Sequence, residues 1–237
     1  MGSMWGRERC AAGRRAAGRL GVVALLALVS VAAAAERVVV EDWSRQPVGS
    51  RGVPEGWQGQ RWGKPQYDFT ITEDRGRRAL HLRSRNDGST IARDVRGAVR
   101  LSETPVLEWS WKVVTLPRGG DSRHKATDDQ AAQIYVAWER FPSMVRSRII
   151  GYVWDTTAPV GTVVKSEKTG TVTYVVVRSG AADLGRWITE RRNVVEDFRS
   201  IYGEAPGDPD AVSISIDTND TASAAESFMG TIAFTRP

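Results

Sequence analysis

The sequence predicts a mainly β protein: a jelly-roll-like antiparallel β-sandwich with one inserted helix at about 183–203. Three observations carry that expectation. Residues 106–113 alternate strictly, with Leu107, Trp109, Trp111 and Val113 on one side and Glu108, Ser110 and Lys112 on the other. This is the period-two pattern of a strand with one buried and one wet face. The two tryptophans bring roughly 150–250 Å² each to that face, and a second sheet is the natural cover for it. Finally, about ten short strands of the same kind are separated by turn residues, the pattern of a sandwich.

The elements follow in order. Val38–Val40 reads as a first strand, and residues 47–64, rich in Gly and Pro, as a long loop holding Trp57 and Trp62. Tyr67, Phe69 and Ile71 alternate, as do Leu80, Leu82 and Ser84, with Asp74-Arg75-Gly76 turning between them as a hairpin. Asn86-Asp87-Gly88 is a second turn, and residues 90–95 form the next strand before the central one. Residues 117–127 are polar and read as an exposed loop. Residues 131–138 are apolar enough for a strand buried on both faces or a short helix, and their β-branched content favours the strand; 148–154 and 171–178 read alike. Residues 163–169 suit a strand edge or loop. Asn193 and Glu196 resemble a capping box, with Val195, Phe198 and Tyr202 spaced for one helix face and Gly203 as the stop. The preceding stretch 184–192 is compatible with the same helix. Val212, Ile214 and Ile216 form a further strand, and Phe228, Ile232 and Phe234 the last.

The first 35 residues stand apart. Arg7, Arg9, Arg14, Arg15 and Arg19 precede an apolar run at 20–31, and small residues at 32–35 follow. This is the plan of a secretory signal peptide cleaved just before Ala35 or Glu36. The expected organisation is a signal peptide at 1–35 and one sandwich domain at 36–237. The apolar run is shorter than the roughly 20 residues that span a bilayer, so no transmembrane segment is expected after cleavage. The expected location is the periplasm or the exterior.

The leader also carries most of the charge imbalance. The chain has 33 basic and 28 acidic residues; taking away the leader's five Arg and one Glu leaves 28 and 27. No basic stripe remains for nucleic acid. The single cysteine, Cys10, lies in the leader, which excludes disulfides, cysteine nucleophiles and thiolate metal sites from the rest. Stability must then come from burial, and eight tryptophans (43, 57, 62, 109, 111, 138, 154 and 187) supply it with a surplus available for a binding face.

Chemistry-bearing residues gather at strand ends. Asp128 and Asp129 precede the strand at 131–138, and Asp217, Asn219 and Asp220 follow the strand at 212–216. Such carboxylates can bind a ligand, and Asp217, Asn219 and Asp220 can contribute oxygens to calcium. Turn chemistry accounts for the same residues. An EF-hand is excluded because Ala222 stands where its glycine belongs. No metal or other cofactor is assigned beyond that calcium candidate. Trp154-Asp155 offers a stacking ring beside an acceptor, Trp57 and Trp62 also lie near loops, and Arg178 could join Asp217 in a polar site. The alternative is that these tryptophans cap the core and Arg178 pairs internally. Only His81 and His124 exist; His81 alternates outward as a surface residue. No Gly-x-Ser-x-Gly elbow and no phosphate loop occurs.

A set of segments resembles one exported bacterial family, known as domain of unknown function 3047: residues 128–136, 151–154 and 175–180, Trp187 with 190–194, Asp197-Phe198 with Tyr202-Gly203, and 217–221. Gly151 stands where Asn is expected in that pattern, and Asn219-Asp220 where Asp-Asn is expected. The resemblance implies one exported domain and lends no activity. Two readings therefore stay open. One is a non-enzymatic envelope protein that binds a glycan or small molecule on a sandwich face. The other is a polysaccharide hydrolase or lyase using acids at strand ends.

Overall fold

Alternating apolar residues dictate strands throughout. The computed structural model describes residues 37–237; the expected leader lies outside them. The strands are β1 (Arg37–Glu41), β2 (Gln58–Gly59), β3 (Asp68–Asp74), β4 (Arg77–Arg85), β5 (Gly88–Asp94), β6 (Val106–Thr115), β7 (Ala132–Trp138), β8 (Arg148–Asp155), β9 (Val163–Lys165), β10 (Val172–Ser179), β11 (Ile188–Asn193), β12 (Ala211–Asp217) and β13 (Ala224–Thr235). Two helices are present, α1 (Ser143–Arg146) and α2 (Val194–Tyr202). Among the described residues, no helix is long and apolar enough to cross a membrane.

Two sheets form. One runs β11-β6-β13-β4-β3, with β1 also pairing β13; the other runs β2-β5-β12-β7-β8-β10-β9. The pairs β4·β13, β5·β12, β6·β11 and β7·β8 are nested one inside the next. That nesting, with alternate pairs in opposite sheets, is the jelly roll. One feature departs from the antiparallel expectation. β10 runs parallel to β8, because the chain between them crosses over through residues 156–171 and returns in the same direction.

The core lies between the sheets. Trp109 and Trp111 are fully buried, with their rings edge-on at 5.3 Å. From the facing sheet, Tyr152 stacks on Trp109 at 5.4 Å and Trp154 meets Trp111 at 6.0 Å. Residues 37–237 belong to one compact unit, and most of their buried apolar side chains form one continuous core.

Two local expectations are corrected. The helix does not begin near 183: residues 188–193 form β11, paired with β6 from Ile188↔Trp111 to Asn193↔Val106. Helix-favouring Glu and Arg are overridden there because the edge of β6 needs a partner. The helix proper starts at Val194, where the Asn193 side chain accepts from the Val195 and Glu196 amides, and it stops at Gly203 with φ 73°. The loop at 117–127 is not wholly exposed, since Asp121 and Ser122 are buried. The last strand forms as expected, with Phe228 on a different face from Ile232 and Phe234. A bulge between Met229 and Ile232 reverses the parity of β13, so Phe228 points outward and stacks on His81 at 4.2 Å.

Candidate binding cleft

The seven-stranded sheet sends Ile91, Ile134, Val136, Ile150, Ile214 and Ile216 into the core. The alternate positions face outward, and they are of a different kind. In register across five strands lie Ala92, Ser213, Tyr135, Gly151 and Tyr174. One row along lie Thr90, Ser215 and Gln133. Of these, Thr90, Gln133, Tyr135, Tyr174, Ser213 and Ser215 line a cleft of about 490 Å³, within the range of small-molecule sites. Gly151 is what allows the aromatic row. A Cβ there would stand 2.6 Å from the Tyr135 ring and 3.1 Å from that of Tyr174. The two rings close over it with centroids 6.4 Å apart. The Tyr135 hydroxyl donates to the Gln133 amide oxygen, and Thr90 and Ser215 share a hydroxyl hydrogen bond of 2.8 Å.

At the rim, Trp62 is 65% exposed. Gln60 fixes the rim loop: its side-chain oxygen accepts from the Thr90 amide at 2.7 Å, and its amide donates to the Trp62 carbonyl at 3.0 Å.

Part of the cleft is acidic. Asp129, Asp217 and Asp220 bring carboxylate oxygens within 4.8 Å of one another. Asp129 is buried and accepts from the amides of Asp220 and Thr221 and the Thr221 hydroxyl, which pins the turn after β12 to the start of β7. The Lys168 ammonium pairs with Asp220 and supplies the positive charge the cluster needs. Burial, reinforced by the negative charge of Asp129, pushes the Asp217 carboxyl up to about 8, against the pull of Lys168 and the Asn219 amide. Asp128 is raised too, chiefly by burial, although the Gln130 amide, Lys168 and the Tyr174 hydroxyl favour its charged form. The Tyr174 hydroxyl donates to Asp128 at 3.2 Å. The cleft thus offers hydroxyls, amides, protonatable carboxyls and the ammonium groups of Lys64 and Lys168 beside aromatic rings.

The structure distributes the sequence candidates unevenly. Asp128, Asp217 and Asn219 line the cleft, while Asp129 and Asp220 stand behind it. The acidic trio joins Asp129 to Asp217 and Asp220, two of the three residues the spacing offered for calcium. Trp154 and Asp155 fall elsewhere. Trp154 is 1% exposed and its indole donates to the Gly180 carbonyl at 3.1 Å; it is a core residue, because its parity places it on the inner face of β8. Asp155 is buried and accepts from the amides of Ser122, Thr157 and Ala158, clamping the loop that follows β8. Arg178 pairs with Asp183 and Glu190, not with Asp217. Trp57 is buried against Trp43. The residues that sequence reasoning passed over are Gln133, Tyr135, Tyr174 and Lys168. The available signal was parity: Gln133 and Tyr135 alternate with Ile134 and Val136, so they share a face opposite the core.

No curated protein sequence matches the chain. Among solved structures, it is similar to a family 11 carbohydrate-binding module from Clostridium thermocellum in complex with a β-1,3-1,4-mixed-linked tetrasaccharide. The identity is 10%, covering 86% of this chain and 97% of that one, with a TM-score of 0.43. It is also similar to a family 30 carbohydrate-binding module (11% identity, 85% and 88% covered, TM-score 0.43). A third is the K2 cleaved adhesin domain of Lys-gingipain (10%, 84% and 99%, TM-score 0.42). The family model described as "Protein of unknown function (DUF3047)" matches residues 55–233, and the chain belongs to that family.

Proposed function

We propose that the protein is an exported bacterial envelope protein that binds a carbohydrate without transforming it, in the cleft across β5, β12, β7, β8 and β10. The observation that carries this is the outward row of that sheet. Ser213, Ser215, Thr90 and Gln133 offer hydrogen-bonding groups beside the Tyr135 and Tyr174 rings, with Trp62 exposed at the rim. A sugar ring has an apolar C–H face that suits an aromatic ring, and hydroxyls around its edge that suit such groups. The basic and apolar leader supports export. Calorimetry and glycan arrays on the protein test the reading. Trp62→Ala and Tyr174→Ala are expected to weaken binding about tenfold or more, the range of a lost aromatic anchor, while Arg178→Ala leaves it unchanged. Unaltered affinity in Trp62→Ala and Tyr174→Ala would sink it.

One observation favours a second reading, a polysaccharide-active enzyme. Asp217, pushed up to about 8, holds its proton at neutral pH inside the same cleft, as a general acid must. Turnover of a cell-wall or capsular polysaccharide that is lost in Asp217→Asn would support it. Turnover indifferent to that substitution would exclude this residue as the acid.

A further inference from the structure

A second surface, on the connection from β7 to β8, has no role in that cleft. Three large apolar side chains stand in water there within five positions: Phe141 is 89% exposed, Met144 90% and Val145 75%. The short helix α1 holds the latter two. Soluble proteins seldom present such residues together without using them. Beside them is a cleft of about 770 Å³ lined by Arg140, Arg146, Arg148 and Lys165, with Val145 and Val163 in its walls. One acid answers the four cations: Glu204, at 2.8 Å from Arg140 and 3.6 Å from Arg148. Arg146 spends one N–H on the Phe141 carbonyl at 3.1 Å, which ties the cationic group to the apolar tip.

We propose that this loop and its basic cleft dock the protein on a membrane surface rich in anionic phospholipid. Phe141, Met144 and Val145 enter the boundary between headgroups and acyl chains, and Arg140, Arg146, Arg148 and Lys165 lie at the level of the phosphates. The chemistry of the two parts agrees with that occupant. A convex apolar tip finds no matching pocket requirement in a fluid bilayer, whereas a protein partner must supply one. The cations line one cleft that Val145 of the tip also borders, and their long stems carry charge past apolar surface. Each cation near an anionic surface contributes a modest, salt-sensitive attraction.

The test uses residues 37–237, which close their own core, in flotation with vesicles of phosphatidylcholine alone or mixed with phosphatidylglycerol. The expected result is co-flotation with the mixed vesicles only, abolished at high salt. Phe141→Ser with Met144→Ser is expected to abolish it. Arg146→Gln and Lys165→Gln are each expected to weaken it by about fivefold, the effect of one cation at an anionic surface. All four positions are at the surface, so circular dichroism and thermal midpoints should be unchanged, which separates docking from misfolding. Equal binding to neutral vesicles, or no binding to either, overturns the proposal. So does a concentration-dependent dimer that the Phe141→Ser variant dissolves, which would give the tip to a second copy. Binding of free glycerol phosphate in the absence of vesicle binding would overturn it as well, assigning the cleft to a small anion.

Discussion

Gly151 sets the shape of the cleft by lacking a side chain. With a Cβ only 2.6 Å from the Tyr135 ring, Gly151→Ala must displace that ring or the strand beneath it. Overpacking of this kind costs about 1–3 kcal/mol. A urea midpoint is expected to fall accordingly, and glycan affinity with it, because the Tyr135–Tyr174 row opens. Asp217 governs a different response. Its carboxyl binds a proton more tightly in the folded chain, about 8 against an ordinary 3.8. The folded state therefore holds more protons than the unfolded one between those limits, and stability falls as pH rises through them. The contribution is complete below the ordinary value and gone above about 8. Asp217→Asn stays neutral throughout, so its thermal midpoint should gain on the wild type between acid and mildly alkaline pH. Parallel midpoint curves for the two proteins would contradict this account. Neither property was legible in the sequence. Gly151 reads as a weak point in a strand until Tyr135 and Tyr174 are known to flank it, and Asp217 owes part of its tight hold on the proton to the charge of Asp129, 88 residues away in the chain.

At the scale of elements, local rules served well where a partner was not needed to decide. Asn193 caps α2 through two amides, at 3.2 and 3.3 Å, as its spacing to Glu196 suggested. Asn193→Ala should cost about 1 kcal/mol, measured as a shift in chemical denaturation midpoint with unchanged slope. Residues 188–193 failed as a helix because the decision belonged to β6. A free strand edge outbids the preference of Glu190 and Arg191 for helix. The β13 bulge is likewise invisible in a list of apolar residues. It appears only when Trp43 donates to the Gly230 carbonyl at 2.9 Å and the ladder skips, turning Phe228 out and Ile232 in. Gln133 and Tyr135 were legible by parity, yet the apolar company of β7 disguised their face as a second core surface.

The whole molecule rests on the layer between the sheets. Trp109 and Trp111 fill it from one side, and Tyr152 and Trp154 from the other. Trp111→Ala is expected to cost about 3–5 kcal/mol through the cavity it leaves. The value should fall toward the lower end, because the buried Trp111 indole N–H has no hydrogen-bond partner among the described residues and its removal relieves that cost. Calorimetric unfolding checks it. This architecture was the most legible part of the chain, since strict alternation with large inward rings admits few other solutions. The nested pairing has a consequence for biosynthesis. β13 is the middle of its sheet, hydrogen-bonded to β6 and β4, with β1 added to it. A nascent chain that has not yet released residue 224 from the ribosome holds β4 and β6 with raw inner edges and cannot seal the sandwich. Closure has to wait until β13 has been translated, long after its partners β4 and β6.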